Sequence, residues 1–62
     1  MNSYSKYVLQ EGTWMRRGGC PKALKFLLKA QKHLQEGVEI GFYTEAKIID
    51  ERGVEVWHFY GC

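Results

Sequence analysis

Apolar residues recur every three or four positions between residues 21 and 36, and this spacing predicts one amphipathic α-helix. The apolar positions that fall on one helical face are Ala23, Leu24, Leu27, Ala30 and Leu34. Pro21 suits the first helical position, because the N–H that proline lacks would have no partner there. Gly37 is the residue at which the pattern predicts the helix to end.

Alternation of apolar and polar residues predicts two strands after the helix, over residues 38–49 and 54–60. The segment Asp50-Glu51-Arg52-Gly53 between them predicts a tight turn, with Gly53 in the left-handed region. If Asp50 lies opposite Val54, the face predicted to pack on the helix comprises Val38, Ile40, Phe42, Ala46, Ile48, Val54, Val56, His58 and Tyr60. The opposite face then comprises Glu39, Tyr43, Glu45, Lys47, Ile49, Glu55, Trp57 and Phe59. A register shift of one residue would exchange the two faces of one strand.

The pattern of residues 4–16 predicts a hairpin, although it is also compatible with one strand or a loop. Residues 4–9 are rich in strand formers, Gln10-Glu11-Gly12-Thr13 predicts a turn, and residues 13–16 predict a short return strand. Residues 17–19 predict a loop. The chain is therefore expected to be a single domain over residues 1–62 of the α+β class. We expect one α-helix on one face of an antiparallel sheet of three or four strands, in β-(β)-α-β-β order.

Composition limits the chain to one small folded domain. A chain of 62 residues buries only about 60% of its unfolded surface. The N-terminus lacks the apolar core of a signal peptide, and no apolar run approaches the ~20 residues of a membrane span. With only two cysteines, we expect a soluble cytoplasmic protein with reduced thiols and no membrane contact.

The residues that bind metals or catalyse reactions do not form a known pattern. His58 and Cys62 are four apart on a predicted strand, which separates their Cα atoms by roughly 13 Å. Cys20 has no base placed near it, although a nucleophile needs one. The segment Arg16-Arg17-Gly18-Gly19 resembles an anion-binding loop but lacks the P-loop lysine. We therefore predict no metal, no cofactor, no catalytic residue and no enzymatic activity.

Positive charge is concentrated in the first 36 residues, and lysines form a stripe along the predicted helix with no acid among them. Such a stripe is either a solvated face or a surface that binds phosphates in a salt-dependent way. As a nucleic-acid-binding surface, it would comprise Arg16, Arg17, Lys22, Lys25, Lys29 and Lys32, with Lys6 extending it.

Aromatic and apolar residues on the predicted outer face of the sheet form the second candidate surface. The predicted partner-binding residues are Tyr43, Ile49, Glu55, Trp57 and Phe59. A small protein rarely exposes such a cluster without using it, unless the N-terminal segment covers it with Tyr4, Tyr7 or Trp14. Glutamates around the rings repel phosphates, so the cluster favours a protein partner or a second copy of the chain.

These features favour a non-catalytic protein-binding domain that modulates or inhibits a larger partner by occluding its surface. In size and lack of chemistry, the chain is similar in kind to small bacteriophage proteins that disable host enzymes. An inhibitor of a basic nucleic-acid-handling enzyme is therefore one form of this hypothesis, and homodimerisation is compatible with it. On this reading Trp57→Ala abolishes binding without unfolding the domain. The alternative is a small basic nucleic-acid-binding protein that uses the lysine-rich helix.

Overall fold

One helix packs on one face of a four-stranded antiparallel sheet in the computed structural model, which describes residues 3–61. The elements in chain order are β1 (Ser3–Gln10), β2 (Thr13–Pro21), α1 (Leu24–Glu39), β3 (Glu45–Ile49) and β4 (Glu55–Tyr60). The strand order in the sheet is β2-β1-β3-β4, so that β2 and β4 are the two edges. The predicted α+β class and element order are confirmed. Between residues 3 and 61, no helix is long and apolar enough to cross a membrane.

The N-terminal residues form a hairpin whose second strand is longer than predicted. Glu11 and Gly12 have φ values of 53° and 78°, which are typical of the tight turns that join paired strands. Strand β2 continues through residues 17–19, so the predicted loop there is wrong. Two residues of β2, Arg17 and Gly18, lie opposite the single residue Lys6, which makes a β-bulge. Gly18 permits this irregularity because its φ is 109°.

Helix α1 begins and ends three residues later than predicted. Pro21 is the last residue of edge strand β2, where a missing N–H is tolerated. Gly37 lies inside the helix, and a Cβ on it would approach Cε2 of Tyr43 to 2.5 Å. The helix instead ends at Glu39, and Gly41, whose φ is 91°, follows the C-cap residue Ile40. The N–H of Gly41 donates to the Val38 carbonyl and that of Phe42 to the Gly37 carbonyl, as in a Schellman motif.

The longer helix shortens the strand that follows it. Val38 is 7% exposed and continues the apolar stripe of Ala30 and Leu34, so its burial favours one more helical turn. Ile40 and Phe42, which were predicted to face the helix from a strand, lie in the connection and are largely exposed.

The register of β4 matches the prediction next to the turn and departs from it further on. The Asp50 N–H donates to the Val54 carbonyl, and Gly53 has a φ of 82°, as the predicted turn requires. Ile48, however, lies opposite Trp57, so that Val56 has no cross-strand partner and forms a second bulge.

This bulge exchanges the two faces of β4 beyond Val56, so the predicted faces of residues 57–60 are wrong. Trp57 and Phe59 pack against the core, whereas His58 forms contacts with Glu45 and Trp14 on the other side of the sheet. Tyr60 stacks on His58 there. The exchange is favourable because it buries two apolar rings instead of a polar imidazole.

The core lies between α1 and the two central strands. Its buried residues are Val8, Ala30, Leu34, Val38, Ala46 and Ile48. A ring of half-buried residues packs around them: Tyr4, Cys20, Leu27, Tyr43, Trp57 and Phe59. The opposite face of the sheet has no second layer among residues 3–61. One face of the sheet is thus open to other molecules.

Candidate binding surfaces

The predicted aromatic cluster does not form on the open side of the sheet, because the β4 bulge turns Trp57 and Phe59 to the helix side and Tyr43 lies before β3. Trp57 and Phe59 lie on the helix side, where their rings stack with centroids 6.1 Å apart. Tyr43 packs its ring against Gly37 of α1. Ile49 and Glu55 are paired across β3 and β4 and stay on the open side. The five predicted partner-binding residues are therefore divided between the two faces.

A different set of side chains occupies the open side, which we call the outer face. Strand pairing assigns these residues to it, in the order of the strands along the chain: Tyr7, Leu9, Trp14, Arg16, Glu45, Lys47, Ile49, Glu55, His58 and Tyr60. All four strands contribute, and three of the residues are aromatic. Trp14 is 37% exposed and Tyr60 is 69% exposed.

His58 is fixed at the β4 side of the outer face by two carboxylates. Its Nδ1 lies 2.6 Å from Oε1 of Glu55, and its Nε2 lies 2.8 Å from Oε1 of Glu45. Each ring nitrogen therefore faces a carboxylate oxygen at hydrogen-bond distance. The Tyr60 ring stacks on His58 with centroids 4.1 Å apart. The orientation of His58 is thus set from three directions.

Lys47 joins this group to the N-terminal hairpin. Its Nζ lies 4.2 Å from the centroid of the Trp14 ring and 6.0 Å from that of Tyr7. Ammonium groups at such distances are attracted to the face of an aromatic ring. The Trp14 ring also meets His58 edge-on, with centroids 5.9 Å apart. The aromatic residues of the outer face are therefore held in place by neighbours on other strands.

The six predicted anion-binding residues do not form one patch. Lys22 donates to Oε1 of Glu51 at 3.0 Å, and this hydrogen bond raises the pKa of Lys22 above its usual value. The Arg16 position is on the outer face, and the Arg17 guanidinium lies 5.7 Å from the Tyr43 ring. The remaining three lysines are on exposed positions of α1: Lys25, Lys29 and Lys32. No carboxylate of residues 3–61 lies within ion-pair distance of these three.

A cleft between α1 and the hairpin gathers cationic groups that the sequence does not bring together. It has a volume of about 230 Å³ and is lined by Lys6, Cys20, Phe26, Lys29, Ala30 and His33. A second groove, of about 310 Å³, lies at the other end of α1 and is lined by Val38, Glu39, Phe59, Tyr60 and Gly61. The first cleft has only basic titratable groups besides a thiol, whereas the second has a carboxylate and no cation.

Sequence reasoning named Tyr7 and Trp14 only as possible cover for the outer face, and it assigned Tyr60 to the opposite face. The signal for the first two was present, because Tyr7 and Leu9 alternate with buried Val8 and the predicted hairpin sets Leu9 opposite Trp14. Tyr60 depends on the bulge, for which the sequence gives no signal.

Potential metal ligands are dispersed rather than clustered. His33 and Cys20 line the cleft, and His58 is on the outer face. Cys62 lies outside the described residues. Within residues 3–61, no group of three His, Cys, Asp or Glu side chains is arranged so that it could hold a metal ion. Comparison with protein-family models, curated proteins and solved structures found no match to this chain.

Proposed function

We propose that this protein is a non-catalytic binding domain that modulates a larger protein partner by covering part of its surface. The docking surface is the outer face. The observation that carries this proposal is the group of ordered aromatic and charged side chains on a sheet face that no other described element covers.

The composition of the outer face supports a protein partner. Tyrosine and tryptophan are the residues that most often dominate interface energies. Here Trp14 and Tyr60 are exposed, while Lys47 and His58 hold them in place. Side chains that are ordered before binding lose less conformational entropy on association. The outer face thus offers anchors at a low entropic cost.

The charges on the outer face bear on the kind of partner. Glu45 and Glu55 both hydrogen-bond to His58, so one oxygen of each carboxylate is already engaged within the molecule. This arrangement gives little support to a basic partner that would bind the glutamates in place of nucleic-acid phosphates. It favours a partner surface that is mainly apolar, with polar groups at its rim.

The test is affinity capture from a lysate of the source organism with wild type, Trp14→Ala and Tyr60→Ala. We expect a specific protein to bind the wild type and to lose about 2 kcal/mol of affinity, or about 30-fold, in either variant, as hot-spot residues do. Leu28→Ala is the matched control, because Leu28 is 54% exposed on α1 and belongs to the other side of the molecule. Its affinity should equal that of the wild type.

Folding must be checked for each variant by circular dichroism and thermal unfolding. Trp57→Ala, which the sequence suggested as the binding test, serves instead as the example of a core defect. Its ring packs against the core, so truncation should destabilise the domain by about 2–3 kcal/mol. Unchanged capture by folded Trp14→Ala and Tyr60→Ala would refute the outer face as the docking surface.

Nucleic-acid binding by α1 is the second candidate function. Three lysines at helical spacing remain without a carboxylate partner among residues 3–61, which supports it: Lys25, Lys29 and Lys32. Binding of a labelled oligonucleotide, followed by fluorescence anisotropy, should weaken steeply with salt. The Lys25→Glu/Lys29→Glu variant should eliminate it, whereas Trp14→Ala should not change it. Absence of binding at low salt would dismiss this candidate.

A further inference from the structure

We propose that the cleft between α1 and the N-terminal hairpin binds a small phosphate-bearing ligand. The phosphate lies among Lys6, Lys29 and His33, and the organic part of the ligand lies against Phe26. This site is on the helix side of the sheet, and it is separate from the outer face.

Lys6 provides the first argument for a ligand. It pairs with fully buried Ile48 in the sheet, so its side chain starts on the face that packs against the helix. It is half-buried there, and no carboxylate of residues 3–61 lies within ion-pair distance of it. The ammonium group of a half-buried lysine reaches solvent past its apolar stem. An anionic ligand in the cleft would supply the counter-charge that residues 3–61 do not.

The helix provides two further cationic or hydrogen-bonding groups. Lys29 and His33 are four residues apart, and both line the same cleft as Lys6. Side chains at this spacing are neighbours on one helical face. Two ammonium groups match the double charge of a phosphate monoester, and the imidazole can donate a further hydrogen bond to it. No acid lines the cleft.

The remaining lining residues indicate the size and nature of the ligand. The Phe26 ring is 38% exposed and, with buried Ala30, gives the cleft an apolar wall. The volume of about 230 Å³ suits a phosphate with a small ring attached rather than a long polymer. Phenyl phosphate has both parts and is therefore the probe of choice.

Cys20 lines the cleft and gives a direct readout of occupancy. In a Cys62→Ser background it is the only thiol of the chain. Its alkylation by iodoacetamide, a neutral reagent, is followed by mass spectrometry with and without phenyl phosphate at constant ionic strength. At a ligand concentration of about twice Kd, the rate should fall about threefold, because only the free third of the protein reacts.

Three variants in the same background distinguish a specific phosphate site from nonspecific attraction of anions by the positive charge of the helix. Lys6→Gln and Lys29→Gln should lose the protection. Lys32→Gln should keep it, since Lys32 is on the same helix but does not line the cleft. Thermal unfolding establishes that each variant is folded, and chemical-shift changes at the Lys6 and Ala30 amides report binding independently of the thiol.

Several outcomes overturn the proposal. These are absence of both protection and shift changes, equal protection in Lys6→Gln and Lys29→Gln, and loss of protection in Lys32→Gln. Protection by an oligonucleotide but not by phenyl phosphate or inorganic phosphate would also overturn it, and would assign the lysines to nucleic-acid binding instead. Capture of a protein through the outer face is independent of all these results.

Discussion

At the scale of single residues, Asp50 is a buried carboxylate at the start of the turn between β3 and β4. It is 6% exposed, and its Oδ1 accepts the N–H groups of Arg52 and Val54, each at 2.9 Å. The hydrogen bond from Val54 lowers the pKa of this carboxyl below its usual value of 3.8, and that from Arg52 acts in the same direction. The side chain thus closes the turn that joins β3 to β4.

The lowered pKa makes part of the stability depend on pH. A group whose pKa is depressed by folding stabilises the folded state fully above its unfolded pKa, and this contribution is lost as the pH falls through the folded pKa. The urea concentration at the unfolding midpoint of the wild type should therefore decrease as the pH is lowered from about 5 to about 2. In Asp50→Asn the fall should be shallower.

Asp50→Ala separates the charge from the hydrogen bonds. Asparagine can still accept from both N–H groups, whereas alanine leaves them without this partner, so Asp50→Ala should be less stable than Asp50→Asn at every pH. Equal pH dependence in the wild type and Asp50→Asn would show that the titration of other groups dominates. Glu51→Gln identifies one of these, because the pKa of Glu51 is also lowered, by its own backbone N–H and by Lys22.

At the scale of elements, the bulge at Val56 decides which rings of β4 reach the core. The pairs on either side of it are Ile49 with Glu55 and Ile48 with Trp57. Removing Val56 would make this pairing continuous without turning Trp57 away from the helix. We therefore expect the Val56 deletion to remain folded.

Deletion of His58 is the matched control within the same strand. It would leave Trp57 in place but shift Phe59 and Tyr60 by one position, so that Phe59 exchanges faces. This variant should be the less stable of the two in thermal unfolding, and nuclear Overhauser contacts between Trp57 and α1 should persist in the Val56 deletion. Unfolding by the Val56 deletion would show that the bulge is itself required.

At the scale of the whole molecule, the arrangement of elements and the two faces of β3 were predictable, whereas the faces of β4 beyond its bulge were not. Helical spacing around Leu27 and Leu34 and the turn at Asp50 set the α+β order. Helix bounds were missed because Gly37 and Gly41 both fit a C-terminal position, and only the burial of Val38 and the Tyr43 ring decides between them.

The candidate sites depended even more on three-dimensional contacts. The predicted binding residues Trp57 and Phe59 were assigned to the wrong face of the sheet. The unpaired residue Val56 exchanges the faces of the residues that follow it, and the periodicity of the sequence does not reveal such a bulge. Lys6 joins Lys29 and His33 only through the packing of α1 on β1, so the cleft has no signature in the sequence.

Both outermost strands of the sheet are irregular, β2 at Arg17–Gly18 and β4 at Val56. A regular edge strand would present unpaired N–H and C=O groups that can pair with an extended segment of another chain and so promote fibril formation. The bulge in each edge strand interrupts such pairing, although the segment Glu55–Tyr60 is rich in residues that favour β-structure. We therefore expect the protein not to aggregate at high concentration, and to bind other molecules through a face of its sheet rather than by adding strands at its edges.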